Sequence, residues 1–491
     1  MQQLHLAALP HLPANVARPA YDPASVGVGI LHLGLGAFHR AHQAVYTDTV
    51  LARDPRWGLC GVSLKTARAT DALRVQQGLY TVVTRSESGA AARVVGSVRE
   101  ALFASIDRAG VIGRLADPRV RVITATVTEK GYCHDPATGA LNIAHPDIAH
   151  DLAHPGAPVS AVGMLVAGLA ARRHAAAGPV TFVCCDNLPR NGATVAGIVH
   201  TFADMQQPGL RAWIDVNVAF PSTMVDRIVP ATQPGDVDDV ARMICMRDAA
   251  PVVAEAFTQW VIEDHFAAAR PCWDEGGAQF VADVAPFETM KLRLLNGSHS
   301  TLAYVGYLLG HEFAWQAALD PQLAALVERQ MAVEIMPTVK TPPGVDLRRY
   351  CATLMQRFRN PALPHRTQQI AMDGSQKLPQ RWLGTVRDRV EAGASYDLLA
   401  FSVAAWIRYA SGQDEAGKSI AVADPLADRF AQIVRDTKAA PDVADAFLKL
   451  QEVFGADLST NPVFCDKVRT QVAALFHDGM RASLARQLQS S

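Results

Sequence analysis

A mostly apolar run that ends in two closely spaced glycines most constrains what this chain can fold into. Residues 26–33 have the pattern of a buried parallel strand, and they lead into Gly34-x-Gly36 and then a helical pattern. In a dinucleotide-binding βα unit the first glycine makes the tight turn, and the second lets a pyrophosphate approach the helix N-terminus. His39 stands where the third glycine of the usual fingerprint would be, so a plain strand, turn and helix remains an alternative.

Strand and helix patterns alternate up to about residue 285, and only helical periodicity follows. Residues 56–64, 119–132 and 178–189 contain buried strands, and residues 160–178 and 192–205 are helical. Such alternation predicts a mostly parallel sheet covered by helices on both faces. The sequence therefore predicts an α/β N-terminal domain over residues 1–285 and an all-α C-terminal domain over residues 286–491.

Composition narrows the class of protein. The chain has 491 residues, of which 49% are hydrophobic, and a formal net charge of -1. That charge gives no electrostatic case for binding nucleic acid or an anionic membrane. No apolar run approaches the ~20 residues of a membrane span, and the start lacks a signal-peptide pattern. The eight cysteines show no metal-type pairing. We expect a cytoplasmic enzyme without metal, either a monomer or a weak homo-oligomer, acting on a small molecule.

A set of polar side chains at helical spacing begins the second half. At about 100° per residue, Lys291, Asn296 and His299 lie at roughly 0°, 140° and 80° around a helix, with Glu288 at about 60°. Burial can lower the pKa of such a lysine until it acts as acid or base near neutral pH. Asparagine and histidine beside it can polarise a carbonyl. The alternative is an ordinary polar helix face.

Several polar loops follow predicted strands or interrupt the helical half. Glu129 and Asp186 each follow a buried strand, at the carboxyl end where ligands of α/β proteins bind. Each of these acids could instead serve as a helix cap or loop hydrogen-bond acceptor. The pair Asp226-Arg227 could be only an ion pair, and Lys377 could be a solvated lysine in a Gly-Ser loop.

Six motifs together resemble one family across nearly the full length of the chain. They are GLGAFHRAHQ, TVTEKGYC, CCDNLPRNG, FPSTMVDRIVP, RPCWDEGGAQFVADVAPFETMKLRLLNGSHS and MDGSQKLPQR. The sequence resembles the polyol-specific long-chain dehydrogenase (mannitol dehydrogenase) family. The resemblance implies a zinc-free, NAD(P)-dependent dehydrogenase with an N-terminal Rossmann-type domain and a helical C-terminal domain.

The resemblance also implies roles for individual residues. Lys291 would be the general acid/base, Asn187 and Asn296 would hold the reacting oxygen, His299 would orient the substrate, and Glu288 would connect Lys291 to solvent. Cofactor contacts are expected from Gly34, Gly36, Phe38, His39, Arg40, Arg68, Asn187 and Asp226. Because all four of Lys291, Asn187, Asn296 and His299 are present, a non-catalytic dinucleotide sensor is disfavoured.

Substrate and cofactor choice are left open by the residues. Lys130 and the stretch around Lys377 resemble family members that interconvert D-fructuronate and D-mannonate, and a uronate carboxylate can be held by a cation. Lys130, Arg366 and Lys377 are the predicted substrate contacts, with His365 a further candidate. Oxidation of a polyol such as mannitol or arabinitol is the alternative. NAD is the expected cofactor, but no acid precedes Asp71 after the second strand, so Lys65 and Arg68 could accept the 2′-phosphate of NADP.

Overall fold

The chain forms two compact units, which are described separately. The structure is a computed structural model that describes residues 1–86, 89–135, 138–362, 364–437 and 439–490. The units are Met1–Ala285 and Pro286–Ser491. None of the helices in these described ranges is both long and apolar enough to cross a membrane.

The first unit contains the strands and nine of the helices of the described residues. The strands are β1 (Val28–Leu33), β2 (Gly58–Ser63), β3 (Tyr80–Ser86), β4 (Gly89–Val95), β5 (Val98–Phe103), β6 (Val122–Ala125), β7 (Val180–Cys184), β8 (Val218–Ala219), β9 (Thr223–Asp226), β10 (Val252–Glu255), β11 (Gln259–Glu263) and β12 (Gln279–Val281). The helices are α1 (Ala37–Ala41), α2 (Gln43–Val50), α3 (Arg68–Val75), α4 (Arg108–Leu115), α5 (Pro146–Ala153), α6 (Ala161–His174), α7 (Asn191–Gln206), α8 (Leu210–Asn217) and α9 (Pro234–Ile244). Short 3₁₀ turns lie at Leu6–His11, Pro23–Ser25, Pro55–Trp57, Glu129–Tyr132 and Trp273–Gly276.

A six-stranded parallel sheet organises the first unit. Its strand order is β5-β2-β1-β6-β7-β8, and every neighbouring pair runs parallel. Leu31 and Leu33 of β1 pack in one buried cluster with residues of α4, α6 and α7. Ile30 faces the other way and packs in a second cluster with residues of α2 and α3. The sheet is therefore buried on both faces, which explains the nearly continuous apolar runs of its strands. The predicted α/β fold with a mostly parallel sheet is confirmed.

Two small sheets of the first unit were not singled out by the sequence patterns. One has the order β10-β3-β4 and the other β12-β11-β9, and each contains one antiparallel pair. Strand β4 begins with exposed residues of the segment GAAARVV, which lacks an alternation of apolar and polar side chains. Without that alternation, periodicity gives no strand signal.

All the secondary-structure elements in the described residues of the second unit are helices. Its α-helices are α10 (Ala285–Met290, beginning at the unit boundary), α11 (Gly297–Leu308), α12 (Ala314–Leu319), α13 (Pro321–Arg329), α14 (Leu347–Phe358), α15 (Thr367–Ile370), α16 (Gly374–Leu378), α17 (Gly384–Glu391), α18 (Asp397–Ala410), α19 (Ala427–Asp436), α20 (Ala440–Leu448), α21 (Gln451–Ser459) and α22 (Pro462–Ser490). Lys291–Asn296, Gln330–Ile335 and Pro379–Leu383 are π-helical, and Met336–Thr338 is 3₁₀. The predicted all-α C-terminal part is confirmed.

Helix α18 is the central helix of the second unit. Its residues from Leu398 to Ala410 are all buried, as expected for a helix that is apolar all round. The buried carboxylate of Glu334 accepts hydrogen bonds from the backbone N–H groups of Leu398 and Leu399, both at 2.8 Å. Burial raises the pKa of Glu334 to about 7, although these two donors favour its ionised form. A carboxylate thus caps the first turn of the most buried helix.

Asp320 joins the start of α13 to the last helix of the chain. Its carboxylate accepts hydrogen bonds from the N–H groups of Gln322 and Leu323, both at 3.1 Å, and pairs with Arg481 of α22 at 2.6 Å. His311 lies 3.2 Å away from the same carboxylate. Burial opposes ionisation, but Arg481, the N–H of Leu323 and His311 outweigh it and hold the pKa of Asp320 well below its usual range.

Replacing Asp320 by alanine is expected to destabilise the protein by about 2 kcal/mol, since a helix cap and a partly buried ion pair are both lost. The depressed pKa means that the carboxylate stabilises the fold above its unfolded value of about 3.9. Thermal and urea unfolding followed by tryptophan fluorescence should show the difference from wild type at neutral pH, shrinking as the pH falls below about 4. Asp428→Ala, an exposed acid in α19, is the control, and equal stabilities of the two variants would contradict the assignment.

Candidate functional site

The turn after β1 has the geometry that the glycine pattern predicts. Gly34 has a φ of +99°, and a Cβ there would lie 2.1 Å from the carbonyl oxygen of Thr126. Only glycine fits this position, because both the left-handed backbone and the close approach exclude a side chain. Gly36 is different, since it is exposed, caps α1 and would place a Cβ no closer than 3.7 Å to the Gly34 oxygen, its nearest neighbour. Its surroundings leave the helix N-terminus open to a ligand.

A histidine pair occupies the place of the missing third glycine. The buried ring of His39 stacks on His32 of β1, with centroids 3.4 Å apart and planes 13° apart. His32 is itself bonded to Thr124 Oγ1 at 2.7 Å and to Thr126 Oγ1 at 2.9 Å. Burial holds the pKa of both histidines well below the usual range, so the stack is uncharged. The third glycine normally permits close helix–strand packing, and here two flat neutral rings form that contact.

Two other residues of this motif have defined partners in the first unit. Phe38 stacks on His42 with centroids 5.0 Å apart. The buried guanidinium of Arg40 donates to the carbonyl of Ala250 and lies 5.5 Å from the ring centroid of Tyr80. The Arg40 side chain therefore braces the helix that follows the glycine turn. Cofactor contacts from Phe38, His39 and Arg40 stay predictions.

The end of β2 carries exposed basic residues. Lys65 lies in the loop after the strand, and Arg68 begins α3. Both are exposed, and the first acid in sequence is Asp71 within the first turn of that helix. The carboxylate that usually binds an adenosine ribose is thus absent from the loop itself. The positive charge of Lys65 and Arg68 suits the 2′-phosphate of NADP. The adenosine ribose of NAD would have no carboxylate to bind in this loop.

Asp186 holds the loops after β6 and β7 together. Its carboxylate accepts hydrogen bonds from the N–H groups of Val127 at 2.9 Å and Thr128 at 3.1 Å, and from the hydroxyl of Tyr132 at 2.9 Å. Burial raises the pKa of Asp186 to about 6, against these hydrogen bonds. Of the two interpretations left open by the sequence, the loop acceptor is therefore the one observed for Asp186.

The residues beside the Asp186 clamp, the set of hydrogen bonds from this carboxylate to the loop after β6, are exposed to solvent. Asn187 is exposed directly after it, as are Glu129 and Lys130 in the 3₁₀ turn Glu129–Tyr132. Asp226, by contrast, is buried at the end of β9. The adjacent Arg227 donates two hydrogen bonds to the single carbonyl oxygen of Glu255, at 2.9 and 3.0 Å, and one to the carbonyl oxygen of Ala41. These contacts tie the strand to α1, whose N-terminus the glycine turn shapes.

In the second unit the Lys291 helix departs from the spacing assumed for it. Lys291–Asn296 is a π-helical turn between α10 and α11, so the assumption of 100° per residue is wrong here. A π turn closes hydrogen bonds between residues five apart instead of four. Residues five apart therefore come closer to one face, and Lys291 and Asn296 are nearer around the axis than the α-helical wheel implies. Such turns are frequent at functional sites.

Lys291 is almost wholly enclosed, with 7% of its surface exposed, and Asn296 and Glu288 are half-buried. A lysine in that position has lost most of its contact with water. The sequence-predicted residues Glu288, Lys291, Asn296 and His299 all lie on this one continuous helical segment.

His299 lies among aromatic and positively charged groups. Its ring stacks on Phe358 at 5.3 Å and meets the ring of His365 edge-on at 5.2 Å. Burial first, then repulsion from His365 in its protonated form, and then the charges of Arg381, Arg357 and Lys377 hold the pKa of His299 well below its usual value. His299 is therefore neutral at physiological pH and suited to hydrogen bonding.

One ring nitrogen of His365 is buried and unsatisfied among the described residues. Among the described residues its buried Nδ1 has no hydrogen-bond partner. Burial and the charge of Lys377 lower the pKa of His365 to about 4, so this ring is neutral too. A buried polar atom without a partner costs free energy, and a ligand can supply the missing bond.

Side chains from another π turn support the Lys291 turn. Arg381 donates to the carbonyl of Asn296 at 3.3 Å and to Ser300 Oγ at 2.8 Å. The indole N–H of Trp382 donates to the carbonyl of Gly297 at 2.9 Å. Both donors lie in the π turn Pro379–Leu383. Two π turns are thus bonded to each other where the predicted catalytic residues lie, which fixes the wide turn in place.

The two predicted substrate cations of this unit have different surroundings. The ammonium of Lys377, in α16, donates to the carbonyls of Ile370 and Met372 and acts electrostatically on His299 and His365. Arg366 pairs with Glu312, with 60% of its side chain exposed. Lys377 is thus the one that the structure brings to the histidine cluster, while Arg366 is directed to a surface carboxylate.

Family models match nearly the whole chain. The mannitol dehydrogenase Rossmann domain matches residues 28–275, and the mannitol dehydrogenase C-terminal domain matches residues 283–476. The chain belongs to the mannitol dehydrogenase family. It is an oxidoreductase of that family, as the sequence resemblance predicts.

Mannitol dehydrogenase family members of known activity align along their full length. D-mannonate oxidoreductase of Escherichia coli (strain K12) is 44% identical over 96% of this chain and 98% of its own. Mannitol 2-dehydrogenase of Aspergillus terreus is 38% identical over 96% and 95%. The structure of Pseudomonas fluorescens mannitol 2-dehydrogenase in ternary complex with NAD and D-mannitol superposes with a TM-score of 0.91, at 36% identity and full coverage of both chains.

The residues that support the Lys291 turn were not predicted from the sequence. Arg357 and Phe358 are the last two residues of an ordinary amphipathic helix, α14. They were identified as part of the site because both lie close to His299. Arg381 and Trp382 had a sequence signal, since the motif that contains Lys377 ends at Arg381. Their role in bonding the Lys291 turn could not be read from spacing, because it joins segments about 85 residues apart.

Gly36→Ala is expected to weaken dinucleotide binding by about tenfold or more without destabilising the fold. The added methyl would meet no protein atom closer than 3.7 Å, yet it would protrude where a pyrophosphate must approach the backbone. Fluorescence titration with NADH and NADPH measures the affinity, and thermal unfolding measures stability. Gly197→Ala, on the open surface of α7, is the matched control. Unchanged affinity in the Gly36 variant would place the dinucleotide elsewhere.

Proposed function

We propose that this protein is an NAD(P)-dependent reductase that interconverts a keto-sugar acid and its hydroxy form, with D-fructuronate and D-mannonate as the substrate pair. The observation that carries the proposal is the positive charge around the neutral His299, which lies eight residues after the buried Lys291 on one helical segment. The 44% identity to a D-mannonate oxidoreductase over 96% of the chain supports the same substrate class.

The residues of the first unit fit a nicotinamide dinucleotide. Gly34 forms the turn that a side chain would fill, and Gly36 leaves the start of α1 open. Backbone N–H groups at that helix start suit a pyrophosphate. Lys65 and Arg68 would tolerate an adenosine ribose with either a 2′-hydroxyl or a 2′-phosphate, so that both NAD and NADP could bind. When bound, the dinucleotide supplies or accepts the hydride.

Lys291 is the proposed general acid/base. In the reduction direction its protonated Nζ gives a proton to the oxygen of the keto group as that oxygen gains negative charge. In oxidation the neutral amine removes the proton of the substrate hydroxyl. Glu288, three residues earlier on the same segment, is the proposed link between Lys291 and solvent.

Hydrogen-bond donors stabilise the oxygen in this proposal. The side-chain amides of Asn296 and Asn187 donate to the developing oxyanion, and losing one such donor typically costs about 10² to 10³ in rate. His299 is neutral, so its role is to orient a substrate hydroxyl and not to supply the proton. Arg381 and Trp382, which bond to the turn carrying Asn296, keep that amide in position.

A carboxylate on the substrate would meet the positive charge near His299. Lys377, Arg357 and Arg381 all contribute to that charge. Lys377 is the preferred contact over Arg366, whose guanidinium already pairs with Glu312. Lys130 is exposed on the first unit and stays a candidate contact.

A polyol substrate such as mannitol is the second candidate. The observation that favours it is the fold similarity to the mannitol 2-dehydrogenase solved with D-mannitol, with a TM-score of 0.91. The ammonium of Lys377 also donates to two backbone carbonyls, an arrangement that an uncharged substrate tolerates.

Lys291→Ala is expected to lower kcat by at least about 10³ while nucleotide affinity stays within about twofold, because the amine acts on the reacting oxygen and not on the dinucleotide. Steady-state kinetics and NADH titration separate the two quantities. Lys449→Ala, an exposed lysine of the same unit, is the control. Near wild-type turnover of the Lys291 variant would exclude the acid/base role.

The substrate prediction is a kcat/KM about tenfold to a hundredfold higher for fructuronate than for fructose. One charge-assisted pair to the carboxylate gains about 1.5–3 kcal/mol. A panel of fructuronate, tagaturonate, fructose, mannitol and arabinitol, each assayed with both nucleotides, measures it. Lys377→Met should reduce this preference more than Arg366→Met does. Equal or higher kcat/KM for fructose or mannitol would favour the polyol alternative, leaving the Lys291 role intact.

A further inference from the structure

Three side chains of metal-binding type converge in the first unit, away from the glycine turn in sequence. Cys133, His145 and Asp147 each present a ligand atom, and these atoms all lie within 4.8 Å of one another. Sulfur, imidazole nitrogen and carboxylate oxygen are the ligands that zinc takes in proteins. The spacing C-x₁₁-H-x-D gives no recognised zinc pattern, so the sequence did not indicate the group.

Local backbone structure brings the three residues together. Cys133 follows the 3₁₀ turn Glu129–Tyr132 and has a left-handed backbone, with a φ of +50°. Asn142 N–H bonds the Cys133 carbonyl at 2.9 Å, and His145 N–H bonds the Asn142 carbonyl at 3.0 Å. His145 then caps α5, and Asp147 lies in the first turn of that helix. The two ends of the loop are thus held by main-chain bonds that do not involve the three ligand atoms.

The ligand atoms have few other partners. Among the described residues, the Cys133 thiol makes one long contact, at 4.0 Å, to the carbonyl of Gly131. His145 Nδ1 accepts a 3.2 Å bond from the N–H of Asp147. Within the described part of the chain, the Asp147 carboxylate has no hydrogen bond or ion pair. Three groups of this kind facing one another with weak or no alternative bonds are suited to share an ion.

The electrostatic surroundings include both signs of charge. Burial, and then the charges of Asp147 and Asp151, raise the pKa of the Cys133 thiol to about 11, while Lys65 acts in the opposite direction. Asp151 is itself engaged by the N–H groups of Val159 and Ser160. Two carboxylates and one lysine thus lie near the Cys133 sulfur.

We propose that Cys133, His145 and Asp147 form a site for one divalent transition-metal ion of the zinc class, with water completing a four-coordinate shell. On binding, the metal–sulfur bond replaces the S–H bond, and the thiol proton passes to solvent. No electron transfer is involved. Thiolate and imidazole select zinc-like ions over magnesium and calcium, which prefer oxygen ligands. Metal binding at His145 costs the weak bond from Asp147 N–H at either ring nitrogen, because Nδ1 then holds the metal or the ring proton. The metal–nitrogen bond offsets this loss.

The ion would restrain the loop that bears Lys130. Lys130 lies three residues before Cys133, within a 3₁₀ turn that Asp186 bonds at both ends, through Thr128 N–H and the Tyr132 hydroxyl. A metal at Cys133 would in addition tie the residue after the turn to α5. The site is structural in this proposal and takes no part in the hydride or proton transfer.

Cobalt(II) is the probe that tests the site, because a cobalt–thiolate bond gives a charge-transfer absorption that carboxylate and imidazole alone do not give. The full-length protein is treated with chelator, dialysed and titrated with Co²⁺. One equivalent should produce the band, and Zn²⁺ should displace it. Cys133→Ser should abolish the band. Asp147→Asn, a change at an exposed residue, should weaken Co²⁺ binding at least about tenfold, since even the loss of a group that only supports a metal ligand costs about 10- to 100-fold.

Cys245→Ser, which removes an exposed thiol outside the cluster, is the matched control and should keep the band. No band in the wild type, or an undiminished band in Cys133→Ser, overturns the proposal. Loss of the band in Cys245→Ser assigns it to surface thiol binding and also overturns it. If Cys133→Ser fails to fold, the Asp147→Asn titration decides by itself. The readout is independent of turnover, so the outcome is separate from that of the proposed reaction.

Discussion

The close approach of Gly34 to the carbonyl of Thr126 sets the geometry of the first unit. It lets the chain leave β1 in a left-handed turn directly over the end of β6, where any side chain would overlap the backbone. From that turn α1 begins at Gly36, and the His32–His39 stack then sets how close the helix lies to its strand. The open helix start, the buried histidines and the position of the loop after β6 all follow from that one contact.

In the second unit the corresponding constraint is the wide turn at Lys291–Asn296. A π turn gains a residue relative to an α-helix and is less favourable on its own, so it persists where its surroundings hold it. Here Arg381 and Trp382 supply hydrogen bonds to the carbonyls of Asn296 and Gly297. The protein thereby presents a buried lysine and an amide on nearby positions of one rigid helix, which is the kind of support that a precise proton transfer requires.

Charge distribution separates residues that look equivalent in sequence. Arg366 and Lys377 are both cations in loops or short helices of the helical half, yet Arg366 is paired at the surface and Lys377 acts on the histidine cluster. His299 is kept neutral by burial and by neighbouring charges that include Lys377 but not Arg366. A neutral, buried histidine has no proton to give, which is consistent with the proposal that Lys291 transfers the proton and His299 orients the substrate.

The sequence by itself determined the parts of this protein whose signal is local. The apolar runs gave β1, β2, β6 and β7, and helical periodicity gave the second unit, because burial on both faces of a sheet or around a helix leaves a pattern in adjacent residues. The family motifs added the candidate residues. The tertiary structure alone decided that Lys291 lies on a π turn, that Asp186 is a clamp, and that Cys133 meets His145 and Asp147. These depend on one extra residue in a helical turn or on contacts between distant segments, and neither leaves a periodic trace in the chain.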